Sequence, residues 1–221
     1  YKTIKRFLVY GYKSVYKYND HFYKFLKRLR ASNFLELKID LSHKIECYYK
    51  VNTKINNLNT QDNIENIKSL LIETVKSRMV ADVPLAFCLS GGVDSTTLVS
   101  IAKKILNKNI KTYSILDDDK RYDERENILK TVESLSADHK FVDLKKEFNL
   151  ENLDKLIKYH GEPLSTINLF SHSLLQKEIK SDGNTISISG VGADEMFAGY
   201  WPNLIQNFYL EKTNPYNNII I

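Results

Sequence analysis

From residue 62 onward the chain alternates between two hydrophobic periods. Ile64, Ile67, Leu71, Val75 and Met79 recur every three or four positions, which predicts an amphipathic helix. Asp62, with Glu65 three residues on, reads as the capping box that opens it. Residues 84–89 form a short unbroken apolar run, the pattern of a strand buried on both faces. A helical pattern follows over 96–106, a strand over 110–116, and a helix over 123–135 with Ile128, Val132 and Leu135 on one face. Residues 140–144 read as a third strand, 150–158 and 169–179 as helices, and 185–189 as a fourth strand. Strands alternating with helices predict an α/β fold: a doubly wound, mostly parallel sheet with helices on both faces.

Residues 1–58 have a different texture. They are rich in Tyr and Lys, and residues 34–39 alternate in the strand period, so a short β-rich N-terminal segment is expected there. Residues 52–61 are polar and rich in asparagine, a linker composition. The expected division is therefore 1–58 and 59–221.

Composition narrows the class. A chain of 221 residues with 43% hydrophobic and 27% charged residues is that of a globular protein. No apolar run has the length of a membrane span and no signal-peptide plan opens the chain, so no membrane partner and a cytoplasmic location are expected. Cys47 and Cys88 lack metal-site spacing, and each is expected to be a small buried hydrophobe. The net charge of +5 is spread over the whole length. Its densest stretch, Lys24 to Arg30, interleaves with Phe22, Tyr23 and Phe25; a solvated strand or helix face is expected there, and nucleic acid is not expected as a partner. The start at Tyr1 and the apolar end at residues 217–221 read as those of an interior piece of a longer polypeptide.

The chemistry concentrates in two glycine turns. Ser90-Gly91-Gly92-Val93-Asp94-Ser95 lies between a predicted strand and a predicted helix. Such a turn presents backbone N–H groups at a helix N-terminus, where an oxyanion is favoured. The serines add hydroxyls, and Asp94 adds a carboxylate suited to a magnesium ion on the same phosphates. Gly-Gly between serines is also the composition of an ordinary tight turn; the strand–turn–helix context favours a pyrophosphate loop. After the fourth strand comes Ser189-Gly190-Val191-Gly192-Ala193-Asp194-Glu195. Alone it reads equally as a glycine loop with solvated carboxylates. In a doubly wound sheet both turns leave strands at the carboxyl edge, where ligands bind near the reversal of strand order. A cation between Asp94, Asp194 and a polyphosphate is then natural, with Ser189 and Gly190 bordering the nucleoside.

Ser90 to Ser95 resembles the pyrophosphate-loop signature of the ATP pyrophosphatase (PP-loop) superfamily. Ser189 to Glu195, continued by Met196-Phe197-Ala198-Gly199-Tyr200, resembles a block of the class B asparagine synthetases. Tyr113-Ser114-Ile115, Tyr122-Asp123-Glu124, Ala137-Asp138-His139 and Gly161-Glu162-Pro163 are similar to that family's weaker landmarks, in order. Residues 5–50 resemble the end of its glutaminase domain and linker.

The resemblance implies an adenine nucleotide alpha hydrolase-like sheet that binds ATP and Mg2+. It implies that a carboxylate substrate, aspartate in the leading reading, is adenylated and then amidated by ammonia from a glutaminase domain. Ser90, Gly91, Gly92, Asp94 and Ser95 carry over as the phosphate loop, Asp94 and Asp194 as metal ligands, and Leu89, Ile115 and Gly190 as contacts to the adenosine. Asp123 and His139 stand between a site role and a structural one, and the expected partners leave room for a homodimer. One departure is plain: Val191 occupies the position where the family usually has Glu, and valine can neither take a proton nor hold ammonium. The family's catalytic lysine is expected beyond residue 221 and its glutaminase cysteine before Tyr1. Other expected readings are an amidotransferase acting on another acid and a nucleotide-binding homologue without catalysis.

Overall fold

The computed structural model describes residues 2–14, 19–51, 59–116, 119, 123–203 and 205. The expected linker lies largely outside the described residues, as do Tyr122 and the C-terminal tail at 217–221. The chain divides into two compact units, one of Tyr1–Asn66 with Glu147–Ser173 and one of Ile67–Lys146 with Leu174–Ile221.

The first unit opens with helix α1 (Lys2–Tyr10), absent from the sequence reading, and a 3-10 turn at Gly11–Ser14. Strands β1 (Asn33–Leu37) and β2 (His43–Cys47) pair antiparallel, with Leu35 opposite Ile45. Both faces of this hairpin are largely open, which is why Cys47, expected to be buried, is exposed. Lys24 to Arg30 is neither strand nor helix. Its first two residues form a turn, and Lys27 makes an isolated bridge with Asp20. Arg28 is paired with Glu162, so part of this basic run is neutralised within the unit.

Helix α2 (Thr60–Arg78) starts earlier than its pattern suggests. Asn59 is the cap: its Oδ1 accepts the Asp62 N–H at 2.8 Å, and its Nδ2 donates to the Asp62 carboxylate at 2.8 Å. Asp62 therefore sits in the first turn as an acceptor, one turn into the box expected to begin with it.

The second unit is built on a four-stranded parallel sheet of β3 (Leu85–Cys88), β4 (Lys111–Leu116), β5 (Asp138–Asp143) and β6 (Ile186–Ile188), in spatial order β5-β4-β3-β6. The order runs outward from β3 through β4 to β5, then returns to place β6 on the other side of β3. That return is the reversal of strand order, and it lies between β3 and β6.

The pleat divides the apolar residues between two faces. Phe87 and Leu89 join Val75 of α2, Val99 of α3 (Val93–Ser100), and Ile128 and Leu135 of α4 (Arg125–Leu135). Ala86, Cys88, Tyr113 and Val142 face the opposite way, against Leu175 and Ile179. Those two residues lie on the last of three helices, α5 (Leu144–Glu147), α6 (Leu150–His160) and α7 (Asn168–Ser181). Each large side chain removed from water this way contributes about 1.5–3 kcal/mol. Strand β4 carries two buried hydroxyls among its apolar residues. Thr112 donates to the Asp138 carbonyl at 2.9 Å, and Ser114 donates to the Leu89 carbonyl. Both are satisfied, so the polar positions are tolerated.

Near the start of β4, Asp182 just beyond α7 accepts from Lys111 at 3.0 Å, from Lys140 at 3.0 Å and from the buried Tyr113 hydroxyl at 2.8 Å. The lysines first, then the tyrosine, hold its carboxyl well below the usual range. This knot ties the end of α7 to β4 and β5. Several element bounds differ from the sequence pattern, among them those of α3 and β5. Helix α3 begins at Val93, and residues Ile101–Ile105 wind as a π turn. Strand β5 ends at Asp143, because Leu144 opens α5.

Candidate functional site: two glycine loops at the strand-order reversal

The turn after β3 is knitted by its own serines. Ser95 is buried, and its Oγ accepts the Ser90 N–H at 3.0 Å and lies 3.0 Å from Ser90 Oγ and 3.3 Å from the Gly92 carbonyl. The Ser95 hydroxyl is thus spent within the loop, closing it into a ring. Gly91 has φ +84, and a Cβ there would lie 3.1 Å from Ile128 Cγ1 and 3.2 Å from Glu124, so both backbone and space call for glycine. Gly92 caps α3 in an extended conformation with no side-chain hydrogen bond. The first intrahelical bond is Thr96 N–H to the Gly92 carbonyl at 3.1 Å, so the N–H groups of Val93, Asp94 and Ser95 precede the helical ladder. Asp94, in this first turn, is exposed.

The turn after β6 reaches the first one at Gly190. A Cβ on Gly190 would lie 3.0 Å from Asp94 Cβ and 3.1 Å from the Ser95 nitrogen. The two loops therefore meet backbone to backbone, and only glycine allows that approach. Beyond it, the Ala193 N–H donates to the Gly190 carbonyl at 3.2 Å, leading into the short helix α8 (Ala193–Phe197) that carries Asp194 in its first turn. Asp194 is exposed, and Val191 is 79% exposed. Ser189 and Gly190 are half-buried.

The remaining expected site residues divide. Leu89 is buried in the core shared with α2 and α3; its N–H donates to the Tyr113 carbonyl at 2.8 Å and its carbonyl accepts the Ser114 hydroxyl. Ile115 packs against the core on the opposite face. The Leu89 and Ile115 side chains therefore belong to different faces of the sheet. Asp123 accepts the Arg125 N–H at 3.0 Å, at the entry to α4.

His139 pairs with Thr112 at 2.8 Å through Nδ1. Since Thr112 gives its proton to the Asp138 carbonyl, that nitrogen carries the imidazole proton, and Nε2 is buried without a partner among the described residues. Burial pushes the His139 pKa down, against a smaller opposing pull from Asp138. Three contacts escaped the sequence reading: Glu124 and Ile128 as the wall behind Gly91, and the Tyr200 hydroxyl donating to Glu195 at 2.7 Å. The glycine pairings could have signalled the first; nothing local signals the last.

A parallel sheet with two glycine turns meeting between β3 and β6, at the reversal of its strand order, defines an α/β protein of the doubly wound kind. The asparagine synthase family profile matches residues 66–213, and the chain belongs to that family. It is 26% identical to asparagine synthetase (glutamine-hydrolyzing) 1 of Bacillus subtilis over 79% of this chain and 27% of that protein. It is 28% identical to asparagine synthetase (glutamine-hydrolyzing) 3 of the same organism over 80% of this chain and 31% of that protein. It is also 27% identical to amidase chyE of Penicillium rubens, over 62% of this chain and 22% of that protein. The chain thus spans about a fifth to a third of the length of these relatives. Among the described residues no helix is long and apolar enough to cross a membrane.

Proposed function

We propose that this chain carries the nucleotide site of an ATP-dependent, amide-forming ligase. The observation that carries the reading is the contact of Gly190 with Asp94 and Ser95, which joins two glycine loops into one edge at the reversal of strand order. On this reading the first-turn N–H groups of α3 and the Ser90 to Ser95 ring hold the phosphates. Ser189 and Gly190 border the nucleoside, with main-chain and wall contacts from Leu89 and Ile115.

A carboxylate oxygen of the substrate attacks the α-phosphorus of ATP. The bond to the β-phosphate breaks, and pyrophosphate leaves. Ammonia then attacks the carbonyl carbon of the acyl-adenylate, the bond to AMP breaks, and a proton is lost from nitrogen. Catalysis of the first step is a matter of position and charge, which suits backbone donors better than a nucleophilic side chain.

Asp94 and Asp194 offer hard oxygen donors suited to Mg2+, and among the described residues no cluster of three or more metal-binding side chains exists. The donor set therefore fits an ion that arrives with the phosphates, which supply its other ligands. When bound, that ion neutralises charge on the polyphosphate. Aspartate as the acid, glutamine-derived ammonia from a glutaminase domain, a homodimeric assembly and a cytoplasmic setting complete the proposal.

A second reading, amidation of another acid, is favoured by one observation. Val191, exposed on the loop that meets Asp94, offers an apolar surface and no proton acceptor. Pyrophosphate release by the intact protein, with ATP, Mg2+ and a panel of carboxylic acids, separates the readings. Release that depends on aspartate and yields asparagine supports the first, and release with a different acid supports the second. ATP binding without release under any acid overturns both.

A further inference from the structure

We propose that Gly199 is a positioning residue, whose missing side chain sets the orientation of the Asp194 carboxylate; the proposal rests on the reading of Asp194 as a metal ligand. Helix α8 ends at Phe197, and Ala198 turns the chain back in the left-handed region at φ +56. The Gly199 N–H then donates to the Asp194 carbonyl at 3.0 Å, which pins Gly199 over the first turn of its own helix. A Cβ on Gly199 would lie 2.0 Å from Asp194 Oδ1 and 3.0 Å from its Cγ. No carboxylate oxygen can stay that close to a carbon, so one of the two groups must move. The backbone of Gly199 is held by its hydrogen bond, whereas the carboxylate is the far end of an exposed side chain. The carboxylate is what moves.

The other glycines of this loop behave differently. At Gly190 the added carbon would meet Asp94 Cβ and main-chain atoms, and at Gly192 it would meet nothing within 4 Å. Gly199 is the glycine of this loop whose empty space is filled by a carboxylate oxygen. Glu195, the neighbouring acid, accepts the Tyr200 hydroxyl at 2.7 Å and so is oriented by a partner of its own. The backbone of Gly199 lies outside the left-handed region, so alanine is conformationally acceptable there. Gly199→Ala should therefore redirect one carboxylate and leave the fold intact.

The test is a double-mutant cycle in the intact protein, with Mn2+ as probe. Binding is read by water-proton relaxation in the presence of an ATP analogue that cannot be cleaved between its α- and β-phosphates. Gly199→Ala is expected to weaken Mn2+ binding about tenfold or more, the scale of losing a group that orients a metal ligand. Its melting temperature should match the wild type, and adding it to Asp194→Ala should cost nothing further. Wild-type Mn2+ affinity in Gly199→Ala, alongside weakened binding in Asp194→Ala, overturns the positioning role and leaves the metal reading standing. So does a Gly199→Ala defect that persists in full on the Asp194→Ala background. Wild-type binding in Asp194→Ala overturns the metal reading itself.

Discussion

The two loops of the candidate site reach the same edge by opposite means. Ser90 to Ser95 is held from within: a buried hydroxyl bridges its two ends, and the wall of α4 supports Gly91. Residues 189–199 are held by what is missing, with Gly190 admitting the first loop and Gly199 admitting a carboxylate. The first loop is closed by its serine hydroxyls, which leaves the first-turn N–H groups of α3 outside the helical ladder. The second is shaped by contacts that any added carbon would spoil. On the proposed reading the clasped first loop holds phosphate, and the second loop, with Val191 exposed on it, leaves room for a variable acid.

The largest effect is expected from Asp94→Ala. If the first loop holds phosphate through this carboxylate, Mg2+-dependent pyrophosphate release should fall by about a hundredfold or more. Asp94 is exposed, so the melting temperature should barely change. Unaltered turnover would dissolve the functional half of the comparison.

Gly190→Ala comes next and strikes the junction itself. Its Cβ would meet Asp94 Cβ at 3.0 Å and the Ser95 nitrogen at 3.1 Å, with no flexible end to give way. Denaturant unfolding should show a loss of about 1–3 kcal/mol, the usual cost of overpacking, together with weaker ATP binding. Ser95→Ala then tests the internal clasp. Removing a buried hydroxyl that accepts the Ser90 N–H should cost about 1–2 kcal/mol in the same assay. Ser189→Ala, in the loop held by other means, should change stability by less than about 0.5 kcal/mol. Equal losses in the two serine variants would break the contrast.

The smallest effect belongs to the scaffold. His139 is neutral in the fold because burial lowers its pKa, so on acidification the unfolded chain binds the proton first. Stability is therefore full above the ordinary imidazole pKa of 6.5 and declines as pH falls below it, until the folded ring also titrates. Unfolding curves across this range should show that decline in the wild type and a flatter profile in His139→Gln. A persistent slope in the variant would move the pH sensitivity to another group, the loop carboxylates included.

The sheet was legible because β3 is a short apolar run and the strands alternate with helical periods. Phe87 and Ala86 fall on opposite faces, as a strand buried on both sides requires. The two turns were legible because glycine, serine and aspartate concentrate there. Other features depended on partners distant in sequence. The capping of α2 by Asn59 was hidden because Asp62 and Glu65 satisfy the same pattern one turn later. The start of α3 at Val93 was hidden because a glycine cap leaves no side-chain signal. Helix α1 and the exposed Cys47 lie in a unit whose one buried large apolar residue, among those described, is Phe170. Periodicity says little where so little is buried. The separation of Leu89 and Ile115 onto different faces follows from strand register, which no single strand carries.

The central claim is that the joined loops activate a carboxylate at the α-phosphorus of ATP. The most direct measurement follows 18O from the carboxylate of whichever acid triggers pyrophosphate release, with the products analysed by mass spectrometry. The account predicts one labelled oxygen in AMP for each amide formed. Unlabelled AMP, or label in orthophosphate beside ADP, would contradict it.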